Sequence, residues 1–146
     1  YFTTRGLLKN KDYGYWLSLN VPYDFLRSLA GIIKDYKENF FIITTKDKSA
    51  VSNLLGSHNI TFRKDNIYDA DSYRKFKTKG NIIRFIKNKY KITSSIFIDD
   101  SKEHLSTCSG IKGLTLAQAG WGYVSRLDNT LGRKAVLAKI KKILGD

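Results

Sequence analysis

The sequence of 146 residues holds one cysteine, one proline and no methionine, and its 13 acidic side chains are outnumbered by 26 basic ones. A single cysteine, Cys108, excludes an internal disulfide and fits a reducing, cytoplasmic setting. No apolar stretch approaches the roughly 18 residues of a membrane-spanning helix, and no signal-peptide pattern opens the chain. The absence of methionine, with tyrosine at position 1, leads to the expectation that further residues precede Tyr1. The shortage of acids leaves a formal charge of +13, well beyond what solubility needs. Such an excess favours a polyanionic partner: a phosphorylated small molecule, a nucleotide, nucleic acid or an anionic surface. Lysines spread over solvated helix faces are the plainer reading of the same charge.

What is present is a packable chain. Its apolar fraction of 42% and aromatic fraction of 13% are those of a globular protein. At this length one domain, residues 1–146, can bury about two-thirds of its surface. Residues 1–20 are irregular and rich in Gly, Tyr, Lys and Thr, which reads as loop or a short hairpin. Asn20-Val21-Pro22 opens a helix whose apolar stripe is Phe25, Leu26, Leu29, Ile32, Ile33 and Tyr36. A buried strand is expected over Asn39–Thr45, then a short helix around Ala50–Leu55 capped by Gly56. Ile60–Phe62 and Ile67-Tyr68 are weaker strand signals. Ile82, Ile83, Ile86 and Tyr90 mark a helix, Ile96–Ile98 a strand, and Lys102–Cys108 a short helix. Gly113–Leu116 is the next strand, and a basic helix runs from about Gly132 to Leu144. Strands alternating with helices imply an α/β fold with a mostly parallel sheet in three layers.

The densest chemistry lies in Ser95-Ile96-Phe97-Ile98-Asp99-Asp100-Ser101, an apolar run that ends in two adjacent carboxylates. Neighbouring acids at a strand end call for a cation, either a divalent metal or a lysine. The carboxyl ends of parallel strands are also where open α/β sheets hold ligands. Two further signals share this placement: Thr44 and Thr45 close the strand that precedes them, and Lys79 begins the Ile82 helix. Hydroxyls, a lysine and paired carboxylates are the ingredients of a phosphate cradle.

In this order and spacing the chain resembles the haloacid dehalogenase-like (HAD-like) hydrolase superfamily, phosphatase type. Phe41-Ile42-Ile43-Thr44-Thr45-Lys46 is similar to its second motif, Lys77-Thr78-Lys79-Gly80 to its third and Ile96-Phe97-Ile98-Asp99-Asp100-Ser101 to its fourth. Trp121-Gly122-Tyr123 is similar to a segment that follows the fourth motif in phosphoglycolate-phosphatase-like members. The resemblance implies a Rossmann-like sheet and Mg²⁺-dependent hydrolysis of a phosphomonoester. It makes Thr44, with Thr45, phosphate-binding donors, and Lys79 the residue that neutralises the phosphoryl group, with Lys77 as a second claimant. Asp99 and Asp100 would serve the Mg²⁺ site. The short segment between the second and third motifs leaves no room for a large cap, and since capless members of the family generally accept bulkier substrates, the resemblance allows a phosphorylated macromolecule or nucleotide.

The departure from the family concerns its first motif, an apolar strand ending Asp-x-Asp that carries the nucleophile. Nothing before Pro22 matches it: Tyr1-Phe2-Thr3-Thr4 has no acid, and Asp12 follows no apolar strand. Asp69-Ala70-Asp71-Ser72 has the right letters in the wrong place and reads as a polar loop. The expectation is that the first strand and its nucleophile lie upstream of Tyr1, with residues 1–20 as a flap-like segment. The alternative is a catalytically inactive module that binds nucleic acid or another polyanion. His58 and His104 read as surface or supporting residues rather than metal ligands. Basic runs around Arg74–Lys79 and Arg84–Lys91 interleave aromatics, which at helical spacing are expected to face the core.

Overall fold

Phe25, Leu29 and Ile33 recur every four residues, and in the computed structural model they are the buried side chains of one helix, Asp24–Asp35. The structure describes residues 11–18, 24–122 and 130–145, with backbone alone at 16–18. The helices are α1 (Tyr13–Ser18), α2 (Asp24–Asp35), α3 (Lys48–Ser57), α4 (Ala70–Phe76), α5 (Lys79–Tyr90), α6 (Lys102–Ser106) and α7 (Arg133–Leu144). The strands are β1 (Ile42–Ile43), β2 (Ile67–Tyr68), β3 (Ser95–Asp99) and β4 (Leu114–Gln118). The order is therefore α/β, with a helix between the members of each strand pair. No helix among the described residues is long and apolar enough to cross a membrane.

The strands form two parallel pairs. In one, Ile42 lies opposite Ile67 and Ile43 opposite Tyr68. In the other, Ser95 through Asp99 run beside Leu114 through Gln118. Among the described residues the pairs are two separate two-stranded sheets rather than one continuous sheet. Both bear on a common apolar cluster. Phe25, Leu29 and Ile33 of α2, Val51 and Leu55 of α3, and Val136 and Ile140 of α7 are buried there, with Ile42, Ile96 and Ile98 packed against them. Each such side chain contributes roughly 1.5–3 kcal/mol when fully removed from water. A second, smaller cluster joins Tyr68, Ile82 and Ile86 with Phe41, Ile43, Tyr73 and Phe76. Ile42 and Ile43, like Ile67 and Tyr68, fall into different clusters because adjacent strand residues point to opposite faces.

Several expectations change. The Asn39–Thr45 strand contracts to Ile42–Ile43, and neither it nor Ile96–Ile98 is fully buried. Each belongs to a pair and is laddered on one edge only among the described residues, so its other edge and part of its faces remain accessible. Gly56 does not cap α3 but lies within it, and the left-handed conformation falls to Asn59 at φ 57°. Asn tolerates that region because its short amide can bond locally. Ile60–Phe62 forms no strand, and residues 13–18, expected as loop or hairpin, are helical, with the Tyr15 amide donating to Asp12 Oδ1. The start expected at Asn20–Pro22 lies outside the described residues.

Candidate functional site

The site begins with a local conflict. Lys79 is the first residue of α5, after the cap Thr78, whose hydroxyl accepts from the Asn81 amide at 3.1 Å. A helix N-terminus carries partial positive charge, so a lysine there is unfavourable. Burying it adds a desolvation cost. Yet its side chain is only 9% exposed, and Lys79 and Asn66 are the buried polar residues of the described chain. The compensation is Asp99 at the end of β3. Lys79 Nζ lies 2.7 Å from Asp99 Oδ2, and the Asp99 side chain is 7% exposed.

The other Asp99 oxygen is occupied as well. The Ser101 amide donates to Oδ1 at 2.9 Å, and His104 Nδ1 lies 3.2 Å from the same atom. An ionised carboxylate only accepts, so Nδ1 is the protonated nitrogen in this contact. Burial alone would raise the Asp99 pKa. The bond and charge of Lys79, the Ser101 amide and the charge of His104 outweigh it and hold the carboxyl below its ordinary range. His104 comes to Asp99 because Ser101 caps α6, accepting from the His104 amide at 3.3 Å, which sets the imidazole one turn beyond the strand end. The sequence reading left it among supporting residues; the Ser-x-x-His capping spacing after the acidic pair is the signal that identifies its role.

Asp100 occupies a different niche. The Gln118 amide donates to its backbone carbonyl at 3.0 Å. A Cβ on Gly122 would stand 2.4 Å from Asp100 Oδ2, so only glycine lets that segment pass the carboxylate. Thus the Trp121-Gly122 segment singled out in the sequence does meet the acidic pair. Trp121 itself packs on Phe25 with ring centroids 4.4 Å apart, and Tyr123 lies outside the described residues.

Of the remaining expected site residues, Thr44 and Thr45 follow β1. The Thr44 amide donates to Tyr68, and its Oγ1 accepts from the Lys46 amide at 3.1 Å. Thr45 is exposed. The hydrogen bonds of Thr44 lie within the β1–β2 end rather than with the Lys79–Asp99 pair. Lys77, the second lysine claimant, is exposed and holds a positive φ of 69° at the end of α4. The Asp69–Ser72 segment is not a loop: Asp69 caps α4, accepting from the Ser72 amide, and Asp71 pairs with Arg74 at the surface. Cys108 is buried and burial raises its thiol pKa, as suits a packed residue.

Mg²⁺ is commonly held by one or two carboxylates with waters and substrate phosphate. Of the two expected Mg²⁺ ligands, Asp99 is already bound to a lysine and two further donors. Among the described residues no group of three His, Cys, Asp or Glu side chains is arranged to hold a metal. No family model, curated protein or solved structure matches this chain.

Proposed function

We propose that the chain is an HAD-like, phosphatase-type hydrolase acting on a phosphomonoester, and that its two strand pairs are halves of one Rossmann-like, mostly parallel sheet. The observation that carries this reading is the buried Lys79 at the α5 N-terminus, paired with Asp99 at the carboxyl end of β3. Residues that break local preferences in this way concentrate at functional sites. Asp99 aims the lysine, and a phosphoryl group at the strand end would draw on the ammonium there. Thr44 Oγ1 accepts from Lys46, which leaves its own proton for a phosphate oxygen. Mg²⁺, when bound at Asp100, would neutralise phosphate charge as a Lewis acid. The nucleophile is the part that the 146 residues do not place: no Asp-x-Asp ends a strand upstream of α2.

The test is hydrolysis of p-nitrophenyl phosphate by the full-length protein with Mg²⁺. Lys79→Met should lower the rate by about 100-fold or more, while Lys77→Ala leaves it unchanged. No hydrolysis by a folded full-length protein overturns the reading. A catalytically silent module that binds a polyanion is the second reading, favoured by the formal charge of +13.

A further inference from the structure

The interleaved aromatics of α5 do not behave as their spacing predicts. Ile82, Ile83 and Ile86 are buried, but Phe85 is 41% exposed and Tyr90 40%. They are not isolated. Phe85 sits 5.0 Å from the Phe76 ring at the end of α4, and Tyr90 sits 5.2 Å from Phe41. Lys89 lies between the two exposed rings, its Nζ 5.9 Å from the Phe85 centroid and 5.0 Å from that of Tyr90. Lys75 stands over Phe76 at 5.6 Å. Phe85 and Tyr90 are thus partly exposed rings of α5 that share the Lys89 ammonium, and Phe76 with Lys75 adjoins Phe85 at the end of α4.

The charge of the molecule is concentrated here. From Ser72 to Ile98 the chain has eight Lys or Arg and no Asp or Glu. Lys79 is buried in its pair with Asp99, and Lys87 is turned inward, bonding Ser95 Oγ at 3.2 Å. Lys75, Lys77, Arg84, Lys89 and Lys91 are exposed, as is Arg74, which pairs with Asp71. A polyanion alone would need only the cations. Exposed rings at intervals among them match a ligand that alternates phosphates with flat apolar faces.

We infer that the Phe76, Phe85 and Tyr90 rings form a binding platform for single-stranded nucleic acid, with bases stacked on Phe85 and Tyr90 and phosphates held by Lys75, Arg84 and Lys89. Duplex would bind less well because its bases are already stacked on one another. The platform is separate from the Lys79–Asp99 pair, so it stands or falls apart from the hydrolase reading.

The test is fluorescence anisotropy with labelled oligothymidylate, a duplex of equal length, heparin, and phosphatidylserine vesicles, on the intact chain. Binding to the oligothymidylate should be tighter than to the duplex. Phe85→Ala should weaken it about five- to a hundredfold, the range of one lost base stack. Lys89→Ala should reduce the slope of log affinity against log salt by about 1. Because Tyr90 also touches Tyr68 and Phe41, Tyr90→Leu is paired with a circular-dichroism melt, and Phe85→Ala decides if that variant unfolds. Equal affinity for heparin and oligothymidylate, insensitive to Phe85→Ala, overturns the proposal. Preference for the vesicles, or no binding at low salt, overturns it as well.

Discussion

Gly80 backs directly onto Thr107. Its amide donates to Thr107 Oγ1 at 3.0 Å, and a Cβ at Gly80 would stand 2.0 Å from the Thr107 carbonyl oxygen. The same hydroxyl donates to the His104 carbonyl at 2.7 Å. One contact therefore satisfies an amide in the first turn of α5 and fixes α5 against α6, the helices that carry Lys79 and His104 to Asp99. Gly80→Ala should cost on the order of 3 kcal/mol, because backbone rather than a flexible side chain must move. A urea midpoint unchanged from the parent protein would contradict this packing.

Lys79→Met should be far more harmful than its size change suggests. It removes the main counter-charge of buried Asp99 and leaves only His104 beside it, a loss of about 3–5 kcal/mol for pairs of this kind. Combining it with Asp99→Asn should recover part of that loss, since the stranded charge is gone. A double-mutant cycle in urea measures the coupling, and simple additivity of the two changes would show that the pair is not an energetic unit.

Acid should act through Asp99. Its folded pKa is lowered from the ordinary value of 3.8, so near that pH the unfolded chain binds more protons than the folded one. The stabilisation is present above the ordinary value and is lost as pH falls through it towards the lower folded pKa. Asp69, also lowered by its capping bonds although burial opposes them, adds in the same direction. Asp99→Asn should flatten the acid limb of a plot of urea midpoint against pH. An unchanged limb would assign acid sensitivity to other carboxylates.

The helices were legible where one face alone meets the core. Phe25, Leu29 and Ile33, or Val136 and Ile140, repeat at the helical period because nothing else constrains them. Phe85 and Tyr90 misled because aromatic letters at that period fit a core stripe equally well, and only the packing of Ile82 and Ile86 decides which side is inside. Lys79 and Asp99 could be read as partners of one site from their strand-end and helix-start positions. Their direct pairing could not, since it depends on how α5 crosses β3. Gly122 was visible as a letter but not as the neighbour of Asp100, a contact made across separate turns of chain.

Two glycines should respond oppositely to alanine. At Gly113, φ is +67° and a Cβ would lie 1.9 Å from the Thr93 carbonyl oxygen, so Gly113→Ala should destabilise by roughly 3 kcal/mol or more. At Gly56, inside α3, a Cβ meets nothing within 4 Å. Gly56→Ala should stabilise by about 0.5 kcal/mol through lower backbone freedom in the unfolded chain. Thermal melts of the two variants decide the matter, and a destabilising Gly56→Ala would mean that its helical placement is wrong.

The separation into two strand pairs has a consequence for local opening. Ile42 finds Ile67, and Ser95 finds Leu114, across one intervening stretch of chain each, so every parallel ladder closes locally. The cost of closing each loop depends only weakly on its length, and neither ladder needs the other to close. Among the described residues, the halves are joined by side-chain burial around Phe25, Leu29 and Val136 rather than by backbone hydrogen bonds between the two pairs. Amide exchange should accordingly resolve two cooperative units, one through α3 and β2 and one through α5 to β4, that open with different free energies.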